Sequence, residues 1–350
     1  MSGNIIIYGA YGFTGELIAR EALRQDIRPI IAGRDASQLA RMHEQYGLEV
    51  RVADLDDALA LDAMLEGCDV VIHCAGPFSA TARQMADACL RTTTSYVDIT
   101  GEFDVICKVL DLDAQARSAG IVMLPGAGFD VVPSDCLIAS VADGMQQPLQ
   151  IDLALLTRGS VSRGTATTMA QAAGVTAMMY ADGSYVPVPA SMLTRTAAFM
   201  SGSRQVRAIS WGDIGSAPRS VHARRVTTYA TMGTPTRTLL GALDWAGRSS
   251  RVRRGMQRAA VWGARRRNQP DPDRLRQTCE LWVRVEDARG HAREGVMTTG
   301  DSYDLTAASA LRIATAIRNG EIPTGALTPS QALGSSFASS LPGTQIQLLQ

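Results

Sequence analysis

The chain of 350 residues contains one lysine, Lys108, and no pair of cysteines at Cys-x-x-Cys spacing. The lack of lysine excludes a lysine base or Schiff base at any other position. Its six cysteines and four histidines are scattered, so we predict neither a metal site nor a disulfide framework. No apolar run reaches membrane-spanning length and no signal-type segment opens the chain, so we expect a cytoplasmic protein.

The formal net charge of +0 conceals an uneven distribution along the chain. Residues 1–130 hold 19 acidic and 10 basic side chains, whereas the remainder holds 15 acidic and 24 basic ones. A hydrophobic content of 46% over this length allows two domains with sizeable cores. We therefore expect two halves with different roles, and the balanced total gives no reason to expect a nucleic-acid partner.

A glycine-rich run, GAYGFTG at 9–15, follows the apolar strand predicted over Ile5 to Tyr8 and precedes a helix predicted over Glu16 to Arg24. A pyrophosphate needs backbone N–H groups at close range and the N-terminus of a helix, and glycine permits that approach. A plain strand-to-helix turn is the alternative, but the position after the first strand favours a dinucleotide. The predicted cofactor contacts are Gly9, Tyr11, Gly12, Phe13, Thr14 and Gly15.

The choice of cofactor depends on Gly33-Arg34-Asp35, which follows the second strand, Pro29 to Ala32. Arg34 lies nineteen residues after Gly15, where the adenine ribose is expected. A guanidinium there pairs with a 2′-phosphate, whereas a carboxylate binds the 2′-hydroxyl. We predict NADPH. The alternative is that Arg34 is an exposed loop residue and that Asp35 only caps the helix that follows.

Strands and helices alternate through the first half, which predicts an α/β fold: an N-terminal Rossmann domain with a doubly wound parallel sheet. A second α/β domain with a mixed sheet is predicted from less regular patterns. The further strands predicted in the first half are Leu48 to Ala53, Asp69 to Cys74, Ser95 to Ile99 and Ile121 to Leu124, and the further helices are Ala36 to Tyr46, Asp57 to Glu66, Thr81 to Arg91 and Phe103 to Ala119. Later elements are a strand at Ile151 to Thr157, a helix at Thr165 to Ala181, a hairpin of Cys279 to Val285 with Glu294 to Thr298, and a helix at Leu305 to Arg318. We expect an NADP-binding domain at 1–133, a substrate-binding and dimerisation domain at 134–300, and a C-terminal helix with a loop-like tail at 301–350 that packs back on the Rossmann domain.

Polar and glycine-containing patches follow the predicted parallel strands, at the edge where an open α/β sheet binds its ligand. Asp54 and the run Ala75, Gly76, Pro77 are predicted to contact the cofactor. Asp98 and Glu102 are the predicted catalytic carboxylates, which orient substrate or transfer a proton. For each the structural alternative stays open: a cap for Asp54, a stiff turn for Gly76-Pro77, and helix N-terminal carboxylates for Asp98 and Glu102.

Several runs together resemble the saccharopine dehydrogenase-like oxidoreductases, especially their branch of trans-acting enoyl reductases that assist polyketide synthases. The runs are GAYGFTG at 9–15, GRD at 33–35, CAGPF at 74–78, YVDITGE at 96–102 and LPGAGFDVVPSD at 124–135. The match extends further along the chain, at Ser162 to Thr165, Trp211 to Asp213, Gly300 to Thr306, Thr328 to Ser330 and Leu341 to Gly343. Arg163 departs from the glycine usual in that branch. The resemblance implies a Rossmann domain, a second domain that binds substrate and forms a homodimer, and NADPH-dependent reduction.

No tyrosine is followed four residues later by lysine, so the proton donor of short-chain dehydrogenases is missing. We therefore expect an NADPH-dependent reductase that transfers hydride to an activated C=C or C=N bond of an organic acid or acyl substrate, in secondary or lipid metabolism. Two alternatives are a saccharopine-type amino-acid dehydrogenase and a non-catalytic NADP-binding scaffold associated with lipid.

The segment from Arg248 to Arg276 carries ten arginines among apolar residues. As a basic amphipathic helix it would make a peripheral membrane contact with anionic lipid, or bind an acidic acyl carrier or a phosphorylated substrate. The alternative is a solvated helix or insertion whose apolar residues face the core.

Overall fold

The structure, a computed structural model, describes residues 4–158, 177–188, 193–231, 263 and 278–349. Two compact units form: Met1–Ser140 with Ser302–Thr344, and Val141–Asp301 with Gln345–Gln350. The Ser162 to Thr165 turn, the predicted helix from Thr165 up to residue 176, and the arginine segment apart from Gly263 lie outside the described residues.

Strands and helices are numbered in chain order. The strands are β1 (Asn4–Tyr8), β2 (Ile30–Gly33), β3 (Val50–Val52), β4 (Cys68–His73), β5 (Ser95–Asp98), β6 (Val122–Leu124), β7 (Pro148–Arg158), β8 (Ala177–Ala181), β9 (Ser184–Val188), β10 (Thr194–Phe199), β11 (Gly202–Ile209), β12 (Arg225–Thr231), β13 (Thr278–Asp287), β14 (Ala292–Thr299), β15 (Gly325–Ala326) and β16 (Gln345–Leu349). The helices are α1 (Phe13–Arg24), α2 (Ala36–Tyr46), α3 (Ala58–Leu65), α4 (Phe78–Thr92), α5 (Phe103–Leu110), α6 (Asp113–Ala119), α7 (Val132–Ala142), α8 (Asp213–Ser220), α9 (Ser302–Arg318) and α10 (Pro329–Leu333).

The first unit is built on a parallel sheet with the strand order β15-β6-β5-β4-β1-β2-β3. The order reverses at β1, which makes the edge beyond β1 the switch point of a doubly wound fold. Strand β1 shows why the chain folds this way: Ile5 to Tyr8 are all buried, as expected for a strand covered on both faces. The predicted Rossmann domain is confirmed.

Several helices of this unit differ from the prediction: α4 begins at Phe78 and α9 at Ser302, each three residues before its predicted start. Helix α1 begins at Phe13, three residues before Glu16, so Phe13, Thr14 and Gly15 form its first turn. The single helix predicted over Phe103 to Ala119 is wrong, because α5 ends at Leu110 and α6 begins at Asp113. The Asp113 carboxylate accepts the backbone N–H of Ala326 in β15, at 2.9 Å, a contact with a distant segment that no local pattern contains.

The second unit contains a mixed sheet with the order β10-β11-β12-β7-β13-β14-β16. Strands β7 and β12 are parallel, and the other pairs along this order are antiparallel. The predicted hairpin is present as β13 and β14, in which Trp282 lies opposite Val296. The mixed sheet predicted for the second domain is therefore confirmed.

Two further predictions are wrong within the described residues. Ala177 to Ala181 form β8, not the end of a helix, because they pair with β9 and with Arg225 and Val226 of β12. The tail after Glu321 is not all loop: Gly325 to Ala326 pairs with β6, a capping box of Thr328 and Gln331 starts α10, and β16 pairs with β14. In the described part of the chain, none of the helices is long and apolar enough to cross a membrane.

Candidate cofactor and catalytic site

The glycine loop between β1 and α1 forms a close-fitting cradle. Gly9 has a φ of +80°, and a Cβ atom at this position would lie 2.9 Å from the backbone nitrogen of Ala75. A Cβ at Gly15 would lie 2.5 Å from the carbonyl oxygen of Gly9. Both positions therefore require glycine, one for backbone conformation and both for space.

The N-terminus of α1 has no side-chain cap, because its N-cap residue is Gly12. The first N–H groups of a helix have no intrahelical partner, and they carry its positive dipole end. A glycine-rich cradle in front of an uncapped helix fits a pyrophosphate. The predicted contacts Gly9, Tyr11, Gly12, Phe13, Thr14 and Gly15 all lie in this loop or in the first turn of α1.

The end of β4 lies directly beside this cradle. The backbone N–H of Cys74 donates to the Tyr8 carbonyl at 2.8 Å, which joins the ends of β1 and β4. The hydroxyl of Thr81 donates to the Ala75 carbonyl at 2.6 Å, and the Gly76-Pro77 bond is cis. Ala75, Gly76 and Pro77 thus form a turn that is held in place from α4 and lies next to Gly9.

Arg34 and Asp35 follow β2, on the other side of β1. The Asp35 carboxylate accepts the backbone N–H groups of Ser37 and Gln38, at 3.0 and 3.1 Å, and caps α2. The Ser37 hydroxyl donates to the same oxygen and lowers the pKa of Asp35. Arg34 is exposed, and none of the described residues pairs with its guanidinium. The Asp35 carboxylate is therefore occupied by the helix cap, whereas the Arg34 guanidinium can bind a ligand. This arrangement fits a ribose 2′-phosphate and not a 2′-hydroxyl.

Tyr11 and Asp54 complete this end of the site. The Tyr11 ring packs on Gly33, where a Cβ atom would lie 2.6 Å from the ring. The exposed Asp54 carboxylate accepts the backbone N–H of Asp56 at 3.1 Å in the turn after β3. That bond uses one oxygen of the carboxylate, Oδ1. The predicted contact of Asp54 with the cofactor stays a prediction.

Asp98, at the end of β5, is fully buried. Its carboxylate accepts the Tyr96 hydroxyl at 2.6 Å and the backbone N–H groups of Thr100 and Gly126, both at 2.9 Å. Burial raises its pKa to about 6, against the lowering effect of these hydrogen bonds. These contacts give Asp98 a structural role, which is to fasten the loop after β6 to the end of β5. Its catalytic role stays a prediction.

The Glu102 carboxylate acts as a remote helix cap. It accepts the backbone N–H groups of Phe78 and Ser79, at 2.8 and 3.0 Å, at the start of α4. The N-cap residue of α4 is Pro77, which has no side chain that can accept these bonds. Glu102 thus couples the end of β5 to the turn after β4, and its catalytic role is likewise still a prediction.

Tyr96 and Thr306 lie in runs that carry the family resemblance, but neither is among the predicted site residues. Tyr96 shares a strand face with Asp98, and that i, i+2 spacing is a signal that could have identified it. Thr306 of α9 has no such signal: its hydroxyl accepts the N–H of Phe129 at 3.0 Å, from a position 177 residues away. Ser309 of α9 donates to the Ala127 carbonyl at 2.6 Å, so α9 holds the loop after β6 from a second side.

Comparison with known proteins agrees with this geometry. Residues 5–124 match the family model of the saccharopine dehydrogenase NADP binding domain. A trans-acting enoyl reductase of Mycobacterium tuberculosis is 30% identical over 184 residues, which cover 48% of this chain and 44% of that protein. Its counterpart in Mycobacterium leprae is 35% identical over 140 residues, which cover 38% and 34% of the two chains. The matches therefore span less than half the length of these relatives.

The fold extends this similarity over nearly the whole chain. The structure of apo saccharopine dehydrogenase (L-Glu forming) from Saccharomyces cerevisiae superposes with a TM-score of 0.66, covering 99% of this chain and all of that one, at 15% identity. At this identity the likeness concerns the fold alone. The glycine cradle and Arg34 fit NADP(H), which supplies a hydride when it is bound. In its NADP-binding domain, residues 5–124, the chain is similar to the saccharopine dehydrogenase-like oxidoreductases.

Proposed function

We propose that the protein is an NADPH-dependent reductase that transfers hydride to an activated C=C or C=N bond of an organic acid or acyl substrate. The observation that carries this proposal is the pair Arg34 and Asp35, in which the guanidinium is available and the carboxylate is engaged in a helix cap. This pair favours NADP(H) over NAD(H), and the reduced form, NADPH, is a hydride donor.

The position of the acceptor follows from the strand order. Because Arg34 follows β2 on one side of β1, the nicotinamide half of a bound cofactor would extend over the ends of β4, β5 and β6 on the other side. That edge carries Pro77, Gly101 and the loop from Pro125 to Asp130. Its backbone is held by Asp98, Glu102 and Thr306, which favours precise placement of an acceptor.

The type of acceptor is inferred from what the chain lacks and from its relatives. Without a Tyr-x-x-x-Lys pair, an unactivated ketone is a poor acceptor, whereas an iminium or a C=C bond conjugated to a carbonyl is already electrophilic. The similarity to proteins named trans-acting enoyl reductases supports the conjugated C=C bond.

The test is a panel of enoyl thioesters, cyclic imines and simple ketones, each assayed for NADPH oxidation by the purified protein. We expect turnover of at least one enoyl thioester or imine. Gly15→Ala is the negative control, because its Cβ atom would lie 2.5 Å from the Gly9 carbonyl oxygen and distort the cradle. Turnover of ketones alone would contradict the proposal. Binding of NADPH without any oxidation would favour a scaffold, and reduction of NADP by an amino acid would favour a dehydrogenase of the saccharopine type.

A further inference from the structure

Asp130 ends the loop that follows β6, at the same sheet edge as Pro77 and Gly101. Its side chain packs directly on Gly101, three residues after the end of β5. A Cβ atom on Gly101 would lie 2.5 Å from Asp130 Oδ2 and 2.8 Å from Asp130 Cβ. Position 101 therefore has to be glycine for Asp130 to occupy this place.

The Asp130 carboxylate differs from the neighbouring carboxylates in its hydrogen bonding. Asp98 accepts three hydrogen bonds and Glu102 caps α4, whereas none of the described residues donates a hydrogen bond to Asp130 or forms an ion pair with it. Part of its surface stays accessible, yet the surrounding protein raises its pKa to about 6 by desolvation. A group that is both accessible and desolvated lines a recess and does not project into open solvent.

The loop that carries Asp130 is held on two sides. Asp98 binds the N–H of Gly126 through its carboxylate and the N–H of Ala127 through its backbone carbonyl, at 2.9 and 2.7 Å. From α9, Thr306 accepts the N–H of Phe129, and a Cβ atom on Gly128 would lie 2.9 Å from Thr306 Cγ2. Such support preorganises the carboxyl group next to the place where the nicotinamide half is expected.

We propose that Asp130, in its neutral form, is the proton donor of the reduction, so that Asp98 is a positioning residue and not the acid. This assignment rests on the proposed function. Hydride passes from C4 of NADPH to the electrophilic carbon of the acceptor, and the electrons of the C=C or C=N bond move to the atom at its other end. That atom takes the proton from Asp130. NADPH is oxidised to NADP⁺, the acceptor is reduced, and the Asp130 carboxylate regains its proton from water through its accessible side.

The experiment compares wild-type protein with Asp130→Asn, Asp130→Glu and the control Asp69→Asn, which removes an exposed carboxylate at the start of β4. The readouts are kcat and KM for the best acceptor of the panel, the affinity for NADPH, and the unfolding midpoint. We expect Asp130→Asn to lower kcat about 10²- to 10⁴-fold with unchanged NADPH affinity. Asp130→Glu keeps an acid and should retain more activity than Asp130→Asn, whereas Asp69→Asn should match the wild type.

A solvent isotope effect provides the second measurement, and it needs only the wild-type protein and Asp130→Glu. Proton donation by a side chain predicts slower turnover in D₂O. Full kcat in Asp130→Asn, or a rise in KM alone, would overturn the assignment of Asp130 while leaving the reductase proposal intact. Failure of the wild-type protein to oxidise NADPH with any acceptor would overturn both.

Discussion

The Asp98 carboxylate at the end of β5 accepts the backbone N–H of Gly126, 2.9 Å away in the loop after β6. This bond ties together two strand ends that lie side by side at the ligand-binding edge of the parallel sheet. The same oxygen accepts the N–H of Thr100, and the other oxygen accepts the Tyr96 hydroxyl. The buried Asp98 carboxylate therefore satisfies three donors, which would lose their partner if it were removed.

Replacement of Asp98 by Asn should therefore destabilise the protein. An amide has one acceptor oxygen, so its NH₂ group would face a donor that the carboxylate now satisfies. We expect the free energy of unfolding to fall by about 1 to 3 kcal/mol, the cost of leaving a buried donor unpaired. Urea denaturation measures this, with Asp69→Asn as the exposed control. Equal stability of Asp98→Asn and wild type would contradict the fastening role.

Comparison of Gly9→Ala with Gly67→Ala separates the effect of backbone strain from that of close packing. Gly9 and Gly67 both have a positive φ, +80° and +71°, but a Cβ atom at Gly67 meets nothing within 4 Å. Gly67→Ala should cost only the left-handed conformation, about 1 kcal/mol. Gly9→Ala should cost more and should weaken NADPH binding, because its Cβ atom meets the Ala75 nitrogen at 2.9 Å. Equal losses of stability in the two variants, with NADPH affinity retained, would show that the cradle tolerates a side chain.

Arg34→Ala should reduce the preference for NADPH over NADH. A charge-assisted pair with a phosphate contributes about 1.5 to 3 kcal/mol, and NADH has no group that can form it. Titration of both cofactors into wild type, Arg34→Ala and Arg20→Ala measures the effect, since Arg20 is an exposed arginine near the other end of α1. An unchanged NADPH affinity in Arg34→Ala would leave Arg34 as a loop residue.

Glu102→Gln should lower stability while most of the turnover persists. Glutamine offers one acceptor to the N–H groups of Phe78 and Ser79, which now have one carboxylate oxygen each. The loss of half a cap and of a negative charge at the N-terminus of α4 should cost about 1 kcal/mol. Thermal unfolding and kcat are measured on the same sample, with the exposed Glu44→Gln as control. A large fall in kcat without loss of stability would instead support the predicted catalytic role of Glu102.

The pH dependence of the free energy of unfolding should report the raised pKa of Asp130 without any substrate. Burial raises its pKa to about 6, above the ordinary value of 3.8. The folded state therefore favours the protonated form, and this contribution to stability is complete below about pH 4 and is lost as the pH rises through about 6. Relative to Asp130→Asn, the wild type should lose about 1 to 3 kcal/mol across that interval. Urea denaturation at several pH values measures the difference. A constant difference, or the same trend between wild type and Asp69→Asn, would contradict a desolvated Asp130.

The N-terminal fold and the cofactor cradle were predictable from the sequence by itself. Buried strands such as Ile5 to Tyr8 are continuous apolar runs, and the glycines 9, 12 and 15 lie within one strand-turn-helix unit. Signals of this kind act between residues that are close along the chain, so composition and spacing reveal them. The same is true of Asp35, whose cap on α2 involves neighbours two and three positions away.

Only the tertiary structure decided which carboxylates at the sheet edge are engaged. Asp98 and Glu102 have the sequence context of catalytic residues, yet Gly126 and Phe78 bind them from 28 and 24 positions away. The Asp130 side chain fits in its place because Gly101 has no Cβ atom there. Thr306, 177 positions from Phe129 along the chain, holds the loop that carries it. Local periodicity carries no information about such contacts, since they depend on which strand ends and helices the fold brings together.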